Sequence, residues 1–219
     1  MHEIYLVCTL HKENGNCNTT ELLAIIEKIK PEIIFLELTK SDYVKFQNGE
    51  VNTVEVIAIN KYKRKNNIKL IPVDNKQMSV TYHLLVDNMN KKIYAISNEY
   101  KRALSIFEVL VSQNGFNFLN SELCEEHFER LDKIENEAVK KMNSIELTKI
   151  YRQTKEIHNE RENEMIKSIY EYSKKNHFNK GIFFIGAWHR KAIKRKILEY
   201  NKNEEIKLNW LFWPNKGKG

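Results

Sequence analysis

Along the first third of the chain, short apolar runs alternate with segments whose apolar residues recur at helical spacing. That alternation predicts the order β, α, β, α, β. Ile4–Leu10 is mostly apolar and free of Pro, as expected of a strand buried on both faces. A turn at Asn14-Gly15 follows. Asn18 then stands three residues before Glu21 in a capping-box arrangement, and Leu22, Ile25, Ile26 and Ile29 repeat at helical spacing up to Pro31. Glu32–Leu38 (EIIFLEL) predicts a second strand ended by Thr39-Lys40-Ser41. Residues 51–66 predict an amphipathic helix, and Ile68–Val73 (IKLIPV) a third strand ending at Asp74. Units of this length imply right-handed crossovers and a parallel sheet.

From about 78 to 176 the apolar spacing is helical throughout. Ile93, Ile96, Tyr100, Leu104, Phe107 and Leu110 form one stripe that Gly115 is expected to close, and Ser121 and Ser144 are placed to cap two further helices. Strand character returns at Gly181–Gly186 (GIFFIG), followed by a helix at Lys191–Tyr200 and a last strand at Ile206–Trp213. The expected fold class is α/β. A mostly parallel central sheet flanked by helices forms one domain over 1–219, with a helical insertion or lid at about 78–176 between the third and fourth strands.

Composition narrows the picture only slightly. A net charge of +7 arises from Lys and Arg mixed with Glu along the helices instead of one basic block, which gives non-specific attraction but no nucleic-acid signature. Cys8, Cys17 and Cys124 are odd in number and form no CxxC pair, against a disulfide framework. The first apolar run is too short and lacks the basic start of a signal peptide, and no stretch approaches the roughly 20 apolar residues that span a bilayer. A cytoplasmic location without membrane partners is expected.

Candidate chemistry begins with an internal echo: IYLVCTLH against IFFIGAWH. Each is an apolar strand, a small residue, two more residues and a histidine, so His11 and His189 are both expected at the carboxyl end of a strand, where open α/β sheets bind ligands. Two imidazoles delivered there suit a shared metal ion or general acid–base work. A histidine after a strand is also commonly a simple turn residue, and the pairing is what raises these two above that. Glu37 sits inside a buried-strand run, where a carboxylate is costly unless paired or ligating, and Asp74 holds the corresponding end of the third strand. Arg161 falls within about 40° of Leu147, Ile150, Ile157, Met165 and Tyr172 on a helical wheel, so it projects from an apolar stripe and needs a carboxylate or an anionic ligand. Snorkelling at the rim of the stripe is the plainer alternative. Cys8, His11 and Cys17 match no closed zinc module, and Cys8 reads as a small core hydrophobe.

Together these residues resemble the TraB/PrgY, TIKI and GumN superfamily, related to the erythromycin-esterase and ChaN-like proteins. The second G-x-x-H box is intact as Gly186-Ala187-Trp188-His189, Glu37 matches the strand glutamate, and Asp74 resembles the aspartate after the third strand. The arginine box reads Glu160-Arg161-Glu162-Asn163-Glu164-Met165, with Glu162 where the family has Asn or Asp, and the first box has Cys8 in place of Gly. The resemblance implies a metal-dependent hydrolase of peptide or related acyl bonds acting on a peptide or small-molecule substrate. His11, His189 and Glu37 would hold a divalent ion (Zn, Mn or Co), Arg161 would orient Glu37 or face the developing oxyanion, and Asp74, Glu160 and Gly186 would support them. Two alternatives stay open: a metal-independent esterase with a histidine as general base, and a non-catalytic protein that binds a peptide or metal.

Overall fold

The apolar runs pair side by side. β1 (Glu3–Thr9), β2 (Ile33–Leu36), β3 (Lys69–Pro72), β4 (Lys180–Gly186) and β5 (Asn209–Phe212) form one sheet in the order β3-β2-β4-β1-β5, every pair parallel. The computed structural model describes residues 2–214. β2 is buried along its whole length and β4 along all but its ends, which is why those runs carry no polar alternation. The edge strands β3 and β5 are only partly buried. This is the parallel α/β sheet the sequence predicts, with most strands shorter than the apolar runs that encode them.

Capping sets where the helices begin. α1 (Thr19–Ile29) starts at Asn18, whose side-chain oxygen accepts from the Thr20 and Glu21 amides. α2 (Lys40–Gln47) starts at Thr39 and α3 (Val54–Lys63) at Thr53, each through its hydroxyl oxygen. The sequence does not predict α2: with Phe46 its only buried side chain, it carries no apolar stripe to read. The insertion comprises α4 (Val80–Ile96), α5 (Asn98–Leu119), α6 (Glu122–Lys141) and α7 (Ile145–Lys175), and α8 (Arg190–Asn203) follows β4. Ser121 and Ser144 cap α6 and α7 as predicted. The stripe from Ile93 to Leu110 is not one helix, because Ser97 breaks it and caps α5, leaving Ile96 exposed. Gly115 does not close α5. It kinks it at φ 53°, and the helix resumes to Leu119.

The insertion holds its own apolar cluster, including Met89, Ile93, Leu131, Ile134, Leu147 and Ile150. A separate cluster surrounds the sheet. α7 belongs to both, with Leu147 and Ile150 in the first and Met165, Ile166, Ile169 and Tyr170 in the second. Each such side chain contributes about 1.5–3 kcal/mol on burial, so the helix is anchored at both ends, and its polar middle is held over the sheet. Among the described residues no helix is long and apolar enough to cross a membrane.

The connections define where a ligand can reach. From β1 the chain passes beyond β4 to β2, and from β4 it passes beyond β1 to β5. Neighbouring strands whose connections leave in opposite directions open a crevice at their carboxyl ends. β1 and β4 are such a pair.

Candidate active site

All four strand ends beside that crevice carry a polar side chain. Glu37 follows β2, Asp74 follows β3, His11 follows β1, and His189 closes a single 3-10 turn, Ala187–His189, after β4. Arg161 arrives from the middle of α7. Its Nε donates to Asp74 Oδ2 at 2.8 Å and its NH2 donates to Glu37 Oε1 at 2.9 Å, so the inward guanidinium finds two carboxylates. Glu37 Oε2 accepts the Gly186 amide at 2.8 Å, and His189 Nε2 stands 3.5 Å from Glu37 Oε1. Asp74 Oδ1 accepts the Lys76 amide.

Behind His189 lies a second tier. Nδ1–H donates to Glu162 Oε1 at 2.8 Å, and the buried Lys196 ammonium stands 3.9 Å from Glu162 Oε2 while donating to Asn159 and Asn163. Three carboxylates (Glu37, Asp74, Glu162) thus face two basic side chains, Arg161 and Lys196. A proton on His189 completes the balance. Burial disfavours that proton most, but Glu37 and Glu162 together outweigh it and raise the His189 pKa above its usual 6.5. Burial likewise acts against ionised Glu37, and His189, Arg161 and the Gly186 amide overcome it, leaving the carboxyl below its usual 4.5.

His11 is set differently. Its carbonyl accepts the Val54 amide at the start of α3, which brings Glu55 alongside. His11 Nδ1–H donates to Glu55 Oε1 at 3.2 Å, and the same oxygen accepts the Thr9 hydroxyl at 2.5 Å. The loop after β1 is pinned to α5 where that helix kinks, with the Asn16 amide donating to the Ser112 carbonyl. Gly115 is obligatory there, since an added Cβ would fall 2.4 Å from the Asn16 carbonyl oxygen. The His11 side chain is 72% exposed, and that of His189 only 7%. The hydrogen bond that His11 donates to Glu55 raises the His11 pKa above 6.5 despite the opposing effect of burial.

His11, Glu55, Thr9, Glu37 and Gly186 line one small cavity of about 70 Å³, whose remaining walls include Leu36, Phe46, Ile59 and Phe184. Both imidazoles therefore come to the same sheet edge, on either side of Glu37. They are not equivalent. The register pairs Cys8 with Ile185 and Thr9 with Gly186, one residue out of step with the sequence echo. Cys8 is fully buried, and the Asn120 side chain takes both its amide and its carbonyl, so no ligand approaches the backbone there. Glu160 points away from the centre and pairs with Lys76.

The donor set does not fit a resident divalent ion. Both Glu37 oxygens already face Arg161, His189 and the Gly186 amide, His11 is turned toward Glu55, and the adjacent guanidinium repels a cation. Among the described residues no three His, Cys, Asp or Glu side chains are grouped to hold a metal.

Sequence reasoning missed Glu55, Glu162 and His158, whose ring packs edge-on against His189 with centroids 5.1 Å apart. Glu162 was visible as the departure in the arginine box. His158 was visible as the position three residues before Arg161 on one helix face. Glu55 stood as a lone acid in an apolar stretch directly after a helix cap, but nothing local links it to His11. Comparison with protein-family models, curated proteins and solved structures gives no match, so the resemblance to TraB-, TIKI- and GumN-type proteins rests on the four boxes alone.

Proposed function

We propose that the chain is a hydrolase of ester or amide bonds that works without a metal, with His11 as the general base. The observation that carries this reading is the His11–Glu55 pair opening onto the same cavity as Glu37. Glu55 holds Nδ1–H and so fixes the tautomer, which leaves Nε2 as the basic nitrogen. Nε2 removes a proton from water as the water oxygen attacks the substrate carbonyl. The same nitrogen then returns the proton to the departing alkoxide or amine. Glu37 is held ionised by Arg161, His189 and Gly186, and it stabilises the transient imidazolium. Arg161 acts here by orienting Glu37, since two of its three nitrogens are committed to Glu37 and Asp74.

A panel of 4-nitrophenyl esters, from acetate to butyrate, tests the proposal. His11→Ala should lower kcat/KM by about 10²–10⁴, the usual contribution of a positioned base. Glu55→Gln should move the rising limb of the pH–rate profile to lower pH, because the amide still accepts from Nδ1–H but lacks the negative charge that helps to raise the His11 pKa. Hydrolysis should persist after exhaustive chelation with metal content checked. Loss on chelation and recovery with Zn or Mn would replace this mechanism by the metal-dependent one. Burial of His189, with both ring nitrogens engaged, favours the second reading of a non-catalytic binding protein, and unchanged hydrolysis in His11→Ala would support it.

A further inference from the structure

A second cavity, of about 490 Å³, lies between α4 and α7 and shares no lining residue with the cavity at His11. Its size is in the range that encloses a small organic ligand, roughly 300–1,000 Å³. Trp188 and Tyr151 contribute aromatic surface, and the Lys155 ammonium lies over both rings, 4.9 and 5.2 Å from their centroids. Val80 and Leu84 of α4 line it too, although they are 76% and 64% exposed.

His158 lines the same cavity and packs edge-on against His189, with ring centroids 5.1 Å apart. Burial above all, then the charges of His189 and Arg161, lowers its pKa to about 3, so the ring is neutral and carries one N–H. Its Nδ1 is sealed from solvent without a hydrogen-bond partner. A buried N–H without an acceptor is rarer in proteins than an under-used acceptor, so the proton belongs on Nε2. Among the described residues no side chain or backbone group accepts from that nitrogen, and it is not among the sealed atoms. The Tyr82, Tyr151 and Thr154 hydroxyls that also line the cavity donate within the protein, Glu135 accepts from Tyr100, Asp87 pairs with Lys91 and the Lys155 ammonium with Asp132, which leaves the neutral His158 N–H as a donor without an acceptor.

We propose that this cavity binds a molecule with an aromatic or aliphatic body and a terminal carbonyl oxygen, the body against Trp188, Tyr151 and Leu84 and the oxygen accepting from His158 Nε2–H. The site goes beyond the hydrolase reading and holds whether or not the centre at His11 turns over a substrate. His158 touches His189 directly, so an occupant lies one ring away from the carboxylate network.

Binding of 4-phenylbutyrate, 4-phenylbutanamide and 4-phenylbutylamine to the full chain, followed by calorimetry and by the imidazole ¹⁵N resonances, tests this. The acid and the amide should bind and perturb His158, while the amine, which lacks the carbonyl, should bind at least about tenfold more weakly. His158→Phe should weaken the amide about tenfold, the loss expected for one buried hydrogen bond, and His158→Gln, which keeps an N–H nearby, should restore most of it. Leu84→Asp, at an exposed position that leaves the fold intact, should weaken all three. The proposal is overturned if no probe binds, if the amine matches the amide, or if affinity is unchanged in His158→Phe. Should His158→Phe not fold, unchanged affinity in Leu84→Asp overturns it equally.

Discussion

The ends of β1 and β4 carry the same short pattern and make opposite use of it. At β1 the histidine stands in the open, one carboxylate holds its inner nitrogen, and the cavity reaches its ring. At β4 the histidine is sealed between two carboxylates and a second imidazole. The difference follows from the one-residue offset in register and from the 3-10 turn, which folds His189 back under α7 while the loop after β1 is pulled outward to α5. A buried imidazole with both nitrogens engaged suits holding a charge pattern. An exposed one with a free nitrogen suits moving a proton. The molecule thus separates a rigid electrostatic frame, built on His189, from an open edge, built on His11.

The frame is broken most directly at Arg161. Replacing it by Met keeps the apolar stem and strands Glu37 and Asp74 as buried carboxylates without their cation. Removing one partner of a buried ion pair costs about 3–5 kcal/mol. Urea unfolding of Arg161→Met should show a loss of that order with the m-value unchanged. A loss below about 1 kcal/mol would mean that the guanidinium is a rim contact, and the division into frame and edge would fail.

Glu162→Gln probes the same frame more gently, because the amide still accepts from His189 Nδ1–H and only the charge is lost. A cost of about 1–1.5 kcal/mol is expected, the difference between a hydrogen bond to a charged group and a neutral one. The pH dependence gives the sharper reading. His189 has a raised pKa in the folded chain, so its contribution is complete below the unfolded value of 6.5 and disappears as pH rises through the folded value. Glu37 has a lowered one, so its contribution is complete above 4.5 and disappears as pH falls through its folded value. The wild-type frame should therefore be firmest between about 4.5 and 6.5 and weaken on the alkaline side. In Glu162→Gln that alkaline loss should move to lower pH. An unchanged stability–pH curve would show that Glu162 does not control the proton on His189.

Much of this frame is legible in the sequence because it is written at strand ends and on one helix face. Glu37 and Asp74 follow apolar runs directly, and Arg161 interrupts an apolar stripe, so each announces a buried charge that needs a partner. The structure supplies the partners. The open edge is harder to read, since Glu55 meets His11 only through the His11 carbonyl holding the start of α3, a tertiary hydrogen bond with no local signature. The kink at Gly115 is hidden for a similar reason. A glycine after an apolar stripe normally ends a helix, and here the close approach of Asn16 makes it a bend. The echo itself is partly misleading, because strand register is set by the packing of whole strands, and similar letters do not fix it.

The smallest effect expected separates the glycine of the second box from the glycines that the fold requires. Gly186 has φ −57° and ψ 136°, a conformation any residue adopts, and an added Cβ would meet only Glu37 Oε2 at 3.5 Å and His189 Cδ2 at 3.8 Å, ordinary contact distances. Its contribution to the site is the amide that donates to Glu37, and Ala keeps that amide. Gly186→Ala should therefore change stability by less than about 1 kcal/mol, the range for a Gly-to-Ala change at a permissive position. Gly115→Ala, at φ 53° and with its Cβ driven into the Asn16 carbonyl, should cost several times more. The His11 edge gives the second readout, since Gly186 lines its cavity: ester hydrolysis in Gly186→Ala should fall only as far as a methyl group narrows a space of about 70 Å³. If Gly186→Ala unfolds the chain as readily as Gly115→Ala does, the glycine serves the backbone and not the cavity, and the contrast between a permissive β4 end and a constrained β1 loop is lost.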